Sequence, residues 1–378
     1  MKTVAHCATP FAPIFAPWLH ALIRHQHRYR TVVLTQEAIN TDVFPVDHLY
    51  SMEELGRAKA LYSRLMTRIS GMYPFYEGYL RRNNVDIMHA HFGYQGFRCL
   101  KAKLKTGLPM VTSLYGADAT RDAGRPPWQA RFERLFRSGE LFLAEGGHMA
   151  KRLERAGCPS EKIAIHHLGV HLDDIPFTER VADDQDQVRV LMCANFREKK
   201  GLPYGLQALG NALQSLTAVD CRVVLIGDGP EKAKILEAIT TSGLSDRVEL
   251  LGVQPYAVVL EQMKRCHFMI HPSVTAVDGD AEGGAPVVLL DAQASGLPVV
   301  ATEHDDIPEY VLNGRSGLLS PERDVDGLCD HIRSMLMSRD RWAEMGRQGR
   351  RHVEESYNAR VQSERLELIY DGLLGTDK

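Results

Sequence analysis

The sequence has no run of about 20 uninterrupted apolar residues, so no segment is expected to cross a bilayer as a helix. Two common nucleotide-binding fingerprints, GxGxxG and GxxxxGK followed by Ser or Thr, are also missing. The N-terminal segment does not resemble a secretion signal, because Pro10, Pro13 and Pro17 interrupt its apolar residues. These absences argue against a membrane-spanning protein, a nicotinamide oxidoreductase and a P-loop enzyme.

Close pairs of cysteines are absent as well. The seven cysteines are scattered and most stand beside apolar runs, a pattern typical of reduced core residues rather than disulfides. Hydrophobic residues make up 44% of the chain and charged residues 25%, as in ordinary soluble globular proteins. We therefore expect a cytoplasmic protein, and a length of 378 residues favours two domains.

Charge is unevenly distributed along the chain. Residues 1–150 contain 19 Lys and Arg against 12 Asp and Glu, although the whole chain has a net charge of −3. A basic first half predicts an anionic partner such as a diphosphate or a membrane surface, but a chance spread of surface charge explains it equally well. Within it, residues 51–82 interleave arginines with aromatic and aliphatic side chains. That mixture suits a segment lying on an anionic bilayer, or a pair of amphipathic helices that closes the domain.

Strand and helix patterns alternate along the chain, which predicts βαβ units and parallel sheets. A polar, acidic segment at 172–187 is the best candidate for a linker. We therefore predict two similar α/β halves with a cleft between them, the first at 1–171 and the second at 188–357. Ligands of such sheets bind outside the carboxyl ends of the strands.

The most informative stretch, His267–Thr302, has the pattern strand, polar loop, buried helix, strand. Pro286 can begin the helix, and residues 283–285 are GlyGlyAla where a capping side chain is usual. Uncapped N–H groups on glycine-rich backbone form an anion site, which the helix dipole strengthens. With Glu282 just before it, this end suits a phosphate and a hydroxylated sugar, although a glycine-rich loop with a solvated Glu also explains the pattern. Asp291, within the apolar helix, needs a hydrogen-bonding partner.

Polar side chains also follow other predicted strands. Lys200 precedes a glycine at a predicted helix start, where a cation suits a diphosphate, or it belongs to an exposed charged loop. His89 and His91 share one face of a strand, so a metal pair is conceivable, but no third ligand is obvious; hydrogen bonding near the cleft and burial in the core are the alternatives. For Asp118 the alternatives are contact with an acceptor hydroxyl and capping of the next helix. For His148 they are a position facing the cleft and a structural position at the start of a helix.

Together these motifs resemble those of the family 4 glycosyltransferases, which are retaining enzymes with the GT-B fold, in particular the exopolysaccharide transferases of the colanic acid and amylovoran type. The likeness covers nearly the whole chain, and its motifs are specific only in combination. They lie at 89–93, 115–118, 145–149, 169–170, 198–201, 226–230, 278–286, 295–302, 307–309 and 313–317.

The resemblance implies an acceptor-binding and a nucleotide-sugar-binding Rossmann-like domain, with the last segment, 358–378, a helix that packs back on the first. It also implies that Glu282 contacts the donor sugar and Lys200 the diphosphate, and these two residues and Asp118 are the candidate catalytic residues. Transfer would proceed with retention and without a metal or a cofactor. The candidate substrate contacts are Asp291 (for the ribose hydroxyls), Arg197, Asn195, Gly283, Gly284, Ala285, Pro286, Val287, His91, Tyr115 and His148.

The chain departs from the family pattern in three places. The acidic pair is Glu-x8-Asp instead of Glu-x7-Glu, so the ribose contact would need a closer backbone. AlaAsn at 194–195 replaces the usual GlyArg, and Arg197 is the candidate substitute. Tyr115 stands where the family often has a histidine.

We therefore predict a hexosyltransferase that moves a sugar from a UDP-, GDP- or ADP-linked donor to a saccharide or a polyprenyl-linked saccharide. It would act in the cytoplasm, in peripheral contact with the anionic inner face of the membrane, and without a nucleic-acid partner. Two alternatives are an inactive transferase-like binding subunit, suggested by Asn195 and Asp291, and a sugar-nucleotide epimerase on the same fold.

Overall fold

The chain divides into two compact units. Unit 1 contains Met1–Gly169 together with Ala359–Lys378, and unit 2 contains Val170–Asn358. The structure, a computed structural model, describes three ranges of residues: 1–11, 17–181 and 187–375.

Seven parallel strands form the sheet of unit 1. They are β1 (Lys2–Cys7), β2 (Tyr29–Thr35), β3 (Leu49–Ser51), β4 (Ile87–His91), β5 (Met110–Ser113), β6 (Leu141–Ala144) and β7 (Ile163–Ile165). Their order across the sheet is β3-β2-β1-β4-β5-β6-β7. All residues of β4, and all of β1 except Lys2, are buried, as expected for a parallel sheet covered by helices on both faces.

The helices of unit 1 connect these strands, and the last one comes from the end of the chain. They are α1 (Pro17–Arg24), α2 (Arg57–Ser70), α3 (Tyr76–Arg82), α4 (Gly93–Thr106), α5 (Trp128–Ser138), α6 (Gly147–Arg155) and α14 (Ala359–Leu373), with short 3-10 turns at Met52–Leu55 and Ser160–Lys162.

Buried contacts hold α14 in unit 1. The Tyr370 hydroxyl lies 2.6 Å from Nδ1 of His89 in β4. Asp371 accepts a hydrogen bond of 2.8 Å from the Tyr29 hydroxyl and pairs with Arg28. The segment 358–378 therefore returns to the first half of the chain, although residues 376–378 lie outside the described ranges.

Unit 2 contains a sheet of six parallel strands. They are β8 (Val188–Cys193), β9 (Cys221–Ile226), β10 (Val248–Gly252), β11 (Phe268–His271), β12 (Val299–Thr302) and β13 (Gly317–Ser320), in the order β10-β9-β8-β11-β12-β13. In both sheets the strand order reverses between the first and the fourth strand, β1 and β4 in unit 1 and β8 and β11 in unit 2. The predicted parallel α/β architecture is confirmed, and this reversal marks the ligand-binding edge of such sheets.

The helices of unit 2 cover both faces of its sheet. They are α7 (Leu202–Ser215), α8 (Lys232–Thr241), α9 (Tyr256–Arg265), α10 (Val287–Ala294), α11 (Ile307–Tyr310), α12 (Val325–Met337) and α13 (Trp342–Ser356), with 3-10 turns at Leu172–Asp174, Glu198–Lys200 and Arg339–Arg341.

The predicted linker at 172–187 packs against unit 2 over most of its described length. Ile175 is buried, and the guanidinium of Arg180 donates to the carbonyl oxygens of Met263 and Ser295 at 2.9 and 3.1 Å. Although the segment has the acidic composition of a linker, its residues 172–181 are structured. Residues 182–186 lie outside the described ranges.

Two further properties bear on the sequence analysis. All seven cysteines are free thiols and six of them are buried. Among the helices of the described ranges, none combines the length and the apolar character needed to cross a bilayer.

The contacts of α14 predict that this helix stabilises unit 1. We expect Tyr370→Ala to lower the free energy of unfolding by about 3–5 kcal/mol, because it removes a fully buried ring. Leu368→Ala is the matched control, since Leu368 lies in the same helix and is 60% exposed; its effect should stay within about 0.5 kcal/mol. Guanidinium denaturation followed by circular dichroism measures both, and equal losses would contradict the assignment.

Candidate active site

The loops that follow β8 and β11 meet at the reversal point of the unit 2 sheet. Residues 194–201 form the first loop and residues 272–286 the second. Gly201 brings them together: it has φ +60°, and a Cβ at this position would lie 1.8 Å from the carbonyl oxygen of Pro272. Any other residue would push the loops apart, so this glycine fixes the position of the neighbouring Lys200.

Lys200 and Glu282 form an ion pair at this meeting point. Lys200 Nζ lies 2.8 Å from both carboxylate oxygens of Glu282, and the Ser273 hydroxyl donates to Oε1 at 2.7 Å. Only 6% of the Glu282 side chain is exposed. Burial alone would raise the pKa of Glu282, but the Lys200 ammonium, the buried His271 ring and the Lys199 ammonium outweigh it and hold that pKa well below its usual range.

Lys199 binds the residues that precede Glu282 in the same loop. Its Nζ donates to the carbonyl oxygen of Ala281 at 2.8 Å and lies 3.3 Å from Oδ1 of Asp280. Two consecutive lysines therefore hold the segment before α10, and Lys200 alone directs its charge to Glu282 at hydrogen-bond distance.

A second charged group supports the loop from behind. Nδ1 of His304 lies 2.6 Å from Glu322 Oε1, and its Nε2 lies 3.2 Å from Asp305 Oδ2. Burial would lower the pKa of His304, but these two carboxylates raise it to about 9. The backbone N–H of Glu282 also lies 3.1 Å from Nε2 of this ring. Asp305, held at φ +47°, accepts the N–H of Gly283 at 2.6 Å. The loop that carries Glu282 is thus positioned by residues that follow β12 and β13.

The N-terminal end of α10 has no capping side chain. The helix begins at Val287, one residue later than predicted, with Pro286 in the capping position. Gly283 has φ +84°, and within the described ranges the N–H groups of Gly284 and Ala285 donate no hydrogen bond. This end therefore keeps the properties of an anion site: unpaired N–H donors and the positive end of a helix dipole.

Asp291 lies one turn further along α10 and is buried. Tyr256 donates to its Oδ1 at 3.0 Å. Burial raises the pKa of Asp291 to about 7, and the hydrogen bond from Tyr256 only partly opposes this shift. A buried carboxyl with few donors fits a group that receives hydroxyl groups from a ligand.

Asn195 and Arg197 are both exposed beside this edge. The buried ring of Phe196 anchors the loop between them. The structure brings neither side chain to Lys200 or Glu282 through a hydrogen bond, so their contact with a ligand stays a prediction.

In unit 1, Asp118 fastens a loop. Its carboxylate is fully buried and accepts the N–H groups of Gly93, Tyr115 and Gly116 at 2.8, 3.2 and 3.0 Å. Burial raises the pKa of Asp118, against the effect of these hydrogen bonds. The side chain therefore holds the turns after β4 and β5 together, and its predicted catalytic role would have to act through them.

Three histidines of unit 1 lie with their ring nitrogens within 4.8 Å of one another: His6, His89 and His91. The missing third partner of the predicted pair is thus His6, which comes from β1. However, all six ring nitrogens of these histidines already lie within 3.2 Å of a hydrogen-bonding partner. Burial holds the pKa of all three well below the usual range, so these rings are neutral. The arrangement fits hydrogen bonding better than metal ligation.

The ring nitrogens of His91 are both occupied. Nε2 lies 2.9 Å from Nδ1 of His6, and Nδ1 lies 2.8 Å from the Tyr115 hydroxyl. His91 is fully buried, so in this structure it positions Tyr115, which is half-buried and stacks near Trp18 with ring centroids 4.5 Å apart. His148 is half-buried in the first turn of α6.

Sequence reasoning missed several residues that build the site. Their position in the sequence could have identified them, because most of them follow a strand at the carboxyl edge of the unit 2 sheet. They are Lys199, Tyr256, Ser273, His304, Asp305 and Glu322.

Comparison with protein families gives two matches that together span most of the chain. Residues 18–174 match the family described as "Glycosyltransferase Family 4", and residues 187–338 match "Glycosyl transferases group 1". Among curated proteins, the chain is 32% identical to the putative colanic acid biosynthesis glycosyltransferase WcaL of Escherichia coli (strain K12), over 76% of this chain and 71% of that one. It is also 32% identical to the amylovoran biosynthesis glycosyltransferase AmsK of Erwinia amylovora, over 76% and 70%.

Solved structures with the same fold are more distant in sequence. HepE of Anabaena, in complex with UDP and glucose, has a TM-score of 0.77 at 15% identity and covers 98% of this chain and 100% of its own. Sucrose-phosphate synthase from Thermosynechococcus elongatus has a TM-score of 0.78 at 15% identity and covers both chains fully. At this identity the likeness establishes the fold alone.

The raised pKa of Asp291 predicts a pH-dependent effect on stability. A carboxyl that titrates near pH 7 in the folded state and near 3.9 in the unfolded state binds more protons when folded, so stability falls as pH rises between these values. Asp291→Asn removes this loss, and its free energy of unfolding relative to the unsubstituted protein should rise by up to about 3 kcal/mol from pH 5 to pH 8. Urea denaturation at both pH values measures it. For the exposed control Asp246→Asn, the change in the free energy of unfolding relative to the unsubstituted protein should be the same at pH 5 and pH 8. If the change for Asp291→Asn were also independent of pH, the burial argument would be contradicted.

Proposed function

The chain belongs to glycosyltransferase family 4 and has the GT-B fold, and from this membership we propose that it transfers a sugar, with retention, from a nucleotide-diphosphate donor bound to unit 2. The observation that carries the proposal is the Lys200–Glu282 ion pair beside the uncapped end of α10. It places a cation, a carboxylate and free N–H donors at the edge where parallel sheets bind nucleotides.

Each part of the donor has a matching group in unit 2. The N–H donors at the start of α10 and the Lys200 ammonium suit the diphosphate, because both offer positive charge to phosphate oxygens. Glu282, once Lys200 turns toward the phosphate, is free to accept hydrogen bonds from sugar hydroxyls. Asp291 suits the ribose hydroxyls. Tyr256 donates to one of its buried carboxyl oxygens, and the carboxyl can accept further hydrogen bonds from a ligand.

The chemistry needs no nucleophile from the protein. The bond between the anomeric carbon and the phosphate oxygen breaks, and the acceptor oxygen bonds to the anomeric carbon from the same face. The acceptor proton passes to the departing phosphate oxygen. Negative charge grows on that phosphate as the bond breaks, and Lys200 together with the dipole of α10 stabilises it more in the transition state than before. We therefore propose a reaction without a metal ion.

The relatives suggest the pathway. WcaL and AmsK are named for colanic acid and amylovoran biosynthesis, so we propose that this enzyme also builds an exopolysaccharide or a related glycolipid. Its acceptor would be a saccharide, or one linked to a polyprenyl lipid, as in assembly at a membrane surface. For this step we assign the acceptor to unit 1, with Tyr115 and His148 as candidate contacts and Asp118 as the residue that orders the loop.

Substitution of the ion pair separates the two roles. Lys200→Ala should weaken binding of the nucleoside diphosphate at least tenfold and lower kcat on the order of 100- to 1000-fold, because the leaving phosphate loses its cation. Glu282→Gln should lose transfer to a similar extent but bind the diphosphate at least as tightly, because Gln no longer neutralises Lys200. Calorimetry with the diphosphate and a transfer assay with the sugar nucleotide measure these effects.

The ligand and the control for this test follow from the structure. Thermal-shift screening against UDP-, GDP- and ADP-sugars selects the donor before the variants are compared. Lys232→Ala is the matched control, because this exposed lysine at the start of α8 forms an ion pair with Asp228. Normal turnover of Glu282→Gln, or unchanged diphosphate affinity of Lys200→Ala, would refute the proposed roles.

A further inference from the structure

Helix α2 leaves its apolar side chains in solvent. Leu61, Leu65 and Ile69 are 69%, 53% and 70% exposed, and Tyr62 is 50% exposed. Ser63 is the one residue that α2 buries. This arrangement is the reverse of a helix that closes a domain, which would turn its apolar side chains inward.

The exposed apolar side chains share one face of the helix. Residues four apart are neighbours on a helix surface, so Leu61, Leu65 and Ile69 form one stripe, and Tyr62 lies beside it. At 1.5 Å per residue, the 14 residues of α2 extend about 21 Å, so the stripe lies along the surface of unit 1.

Cationic side chains border this stripe. Helix α2 contains no Asp or Glu, and its four cations are Arg57, Lys59, Arg64 and Arg68. At 100° per residue, the three arginines fall along one edge of the stripe and Lys59 falls on the opposite side. In the ranges that the structure describes, Arg57, Lys59 and Arg68 have no carboxylate within 4.0 Å.

We propose that this face of α2, defined by Leu61, Tyr62, Leu65 and Ile69 with its bordering cations, docks on an anionic lipid bilayer. An exposed apolar stripe between cationic edges is the pattern of a helix that lies in the bilayer interface. The aliphatic side chains enter the acyl boundary, the tyrosine ring suits the headgroup level, and the arginines reach the lipid phosphates. The proposal does not depend on glycosyl transfer, but it places the enzyme where a lipid-linked acceptor is found.

Charge distinguishes a bilayer from a second copy of the chain. Two copies packed through this face would bring eight cations together with no acidic partner on either helix, which repels. An anionic bilayer supplies the missing negative charge and also covers the apolar stripe.

The test measures binding to vesicles without donor or acceptor, so its outcome is separate from that of the transfer assay. We expect the full chain to sediment with phosphatidylcholine vesicles that contain one-third phosphatidylglycerol, and not with phosphatidylcholine alone. The variant Leu61→Gln/Leu65→Gln/Ile69→Gln should reduce partition at least tenfold. The variant Arg57→Gln/Lys59→Gln/Arg68→Gln should reduce it on the order of 100-fold, at about fivefold per cation.

Matched controls change the same residue types elsewhere. Leu236→Gln/Leu368→Gln removes exposed leucines of α8 and α14, and Lys101→Gln/Arg134→Gln/Arg351→Gln removes the same total charge from exposed positions. Both controls should keep vesicle binding. Because all the α2 substitutions lie on an exposed face, circular dichroism and turnover with a water-soluble acceptor should stay unchanged.

Two results would overturn the proposal. One is vesicle binding that the α2 variants retain in full, or a loss of binding in the control variants as large as in the α2 variants. The other is a dimer of the unsubstituted chain in sedimentation velocity that the triple glutamine variant of the stripe dissociates, with no vesicle binding by either protein.

Discussion

A buried carboxylate beside two consecutive lysines is the constraint on which the rest of unit 2 depends. Glu282 is stable in its charged form chiefly because Lys200 lies within hydrogen-bond distance of both of its oxygens, since a charge removed from water needs a partner. The pair in turn requires the loops after β8 and β11 to approach closely, which only a glycine at position 201 permits. The His304 ring, itself held between two carboxylates and in contact with the Glu282 N–H, fixes the loop from the other side.

Lys200 and Glu282 neutralise each other in this structure, and in the proposed reaction the donor diphosphate competes for the lysine. An unpaired lysine at the helix end would bind any anion. A lysine paired with a carboxylate exchanges that partner only for a ligand that carries more negative charge. Under the proposed function, the site would therefore be organised before the donor binds, and Glu282 would become available to the sugar once Lys200 turns to the phosphate.

The sequence predicted the architecture well because alternating strand and helix patterns depend on local composition. Short strands such as β3 and β13 are harder to predict, because their three or four residues carry little pattern. The helix pair expected as one alternative for residues 51–82 is present as α2 and α3, and α2 ends at Gly71, which has φ +71°. The contact between Lys200 and Glu282 joins residues 82 positions apart and follows from the neighbourhood of β8 and β11, which periodicity does not encode. Likewise the composition of α2 indicated two faces, but not which one meets solvent, because that depends on what packs against it.

The return of α14 to unit 1 has a consequence for how the chain is made. A ribosome releases the elements in order, so the seven strands of unit 1 emerge long before the helix that completes them. Unit 2, continuous in sequence, is the first to have all its parts outside the exit tunnel. Until α14 emerges, Tyr29 lacks its carboxylate partner Asp371 and His89 lacks its hydroxyl partner Tyr370. The sheet of unit 1 can therefore take its final packing only after α14 has been synthesised.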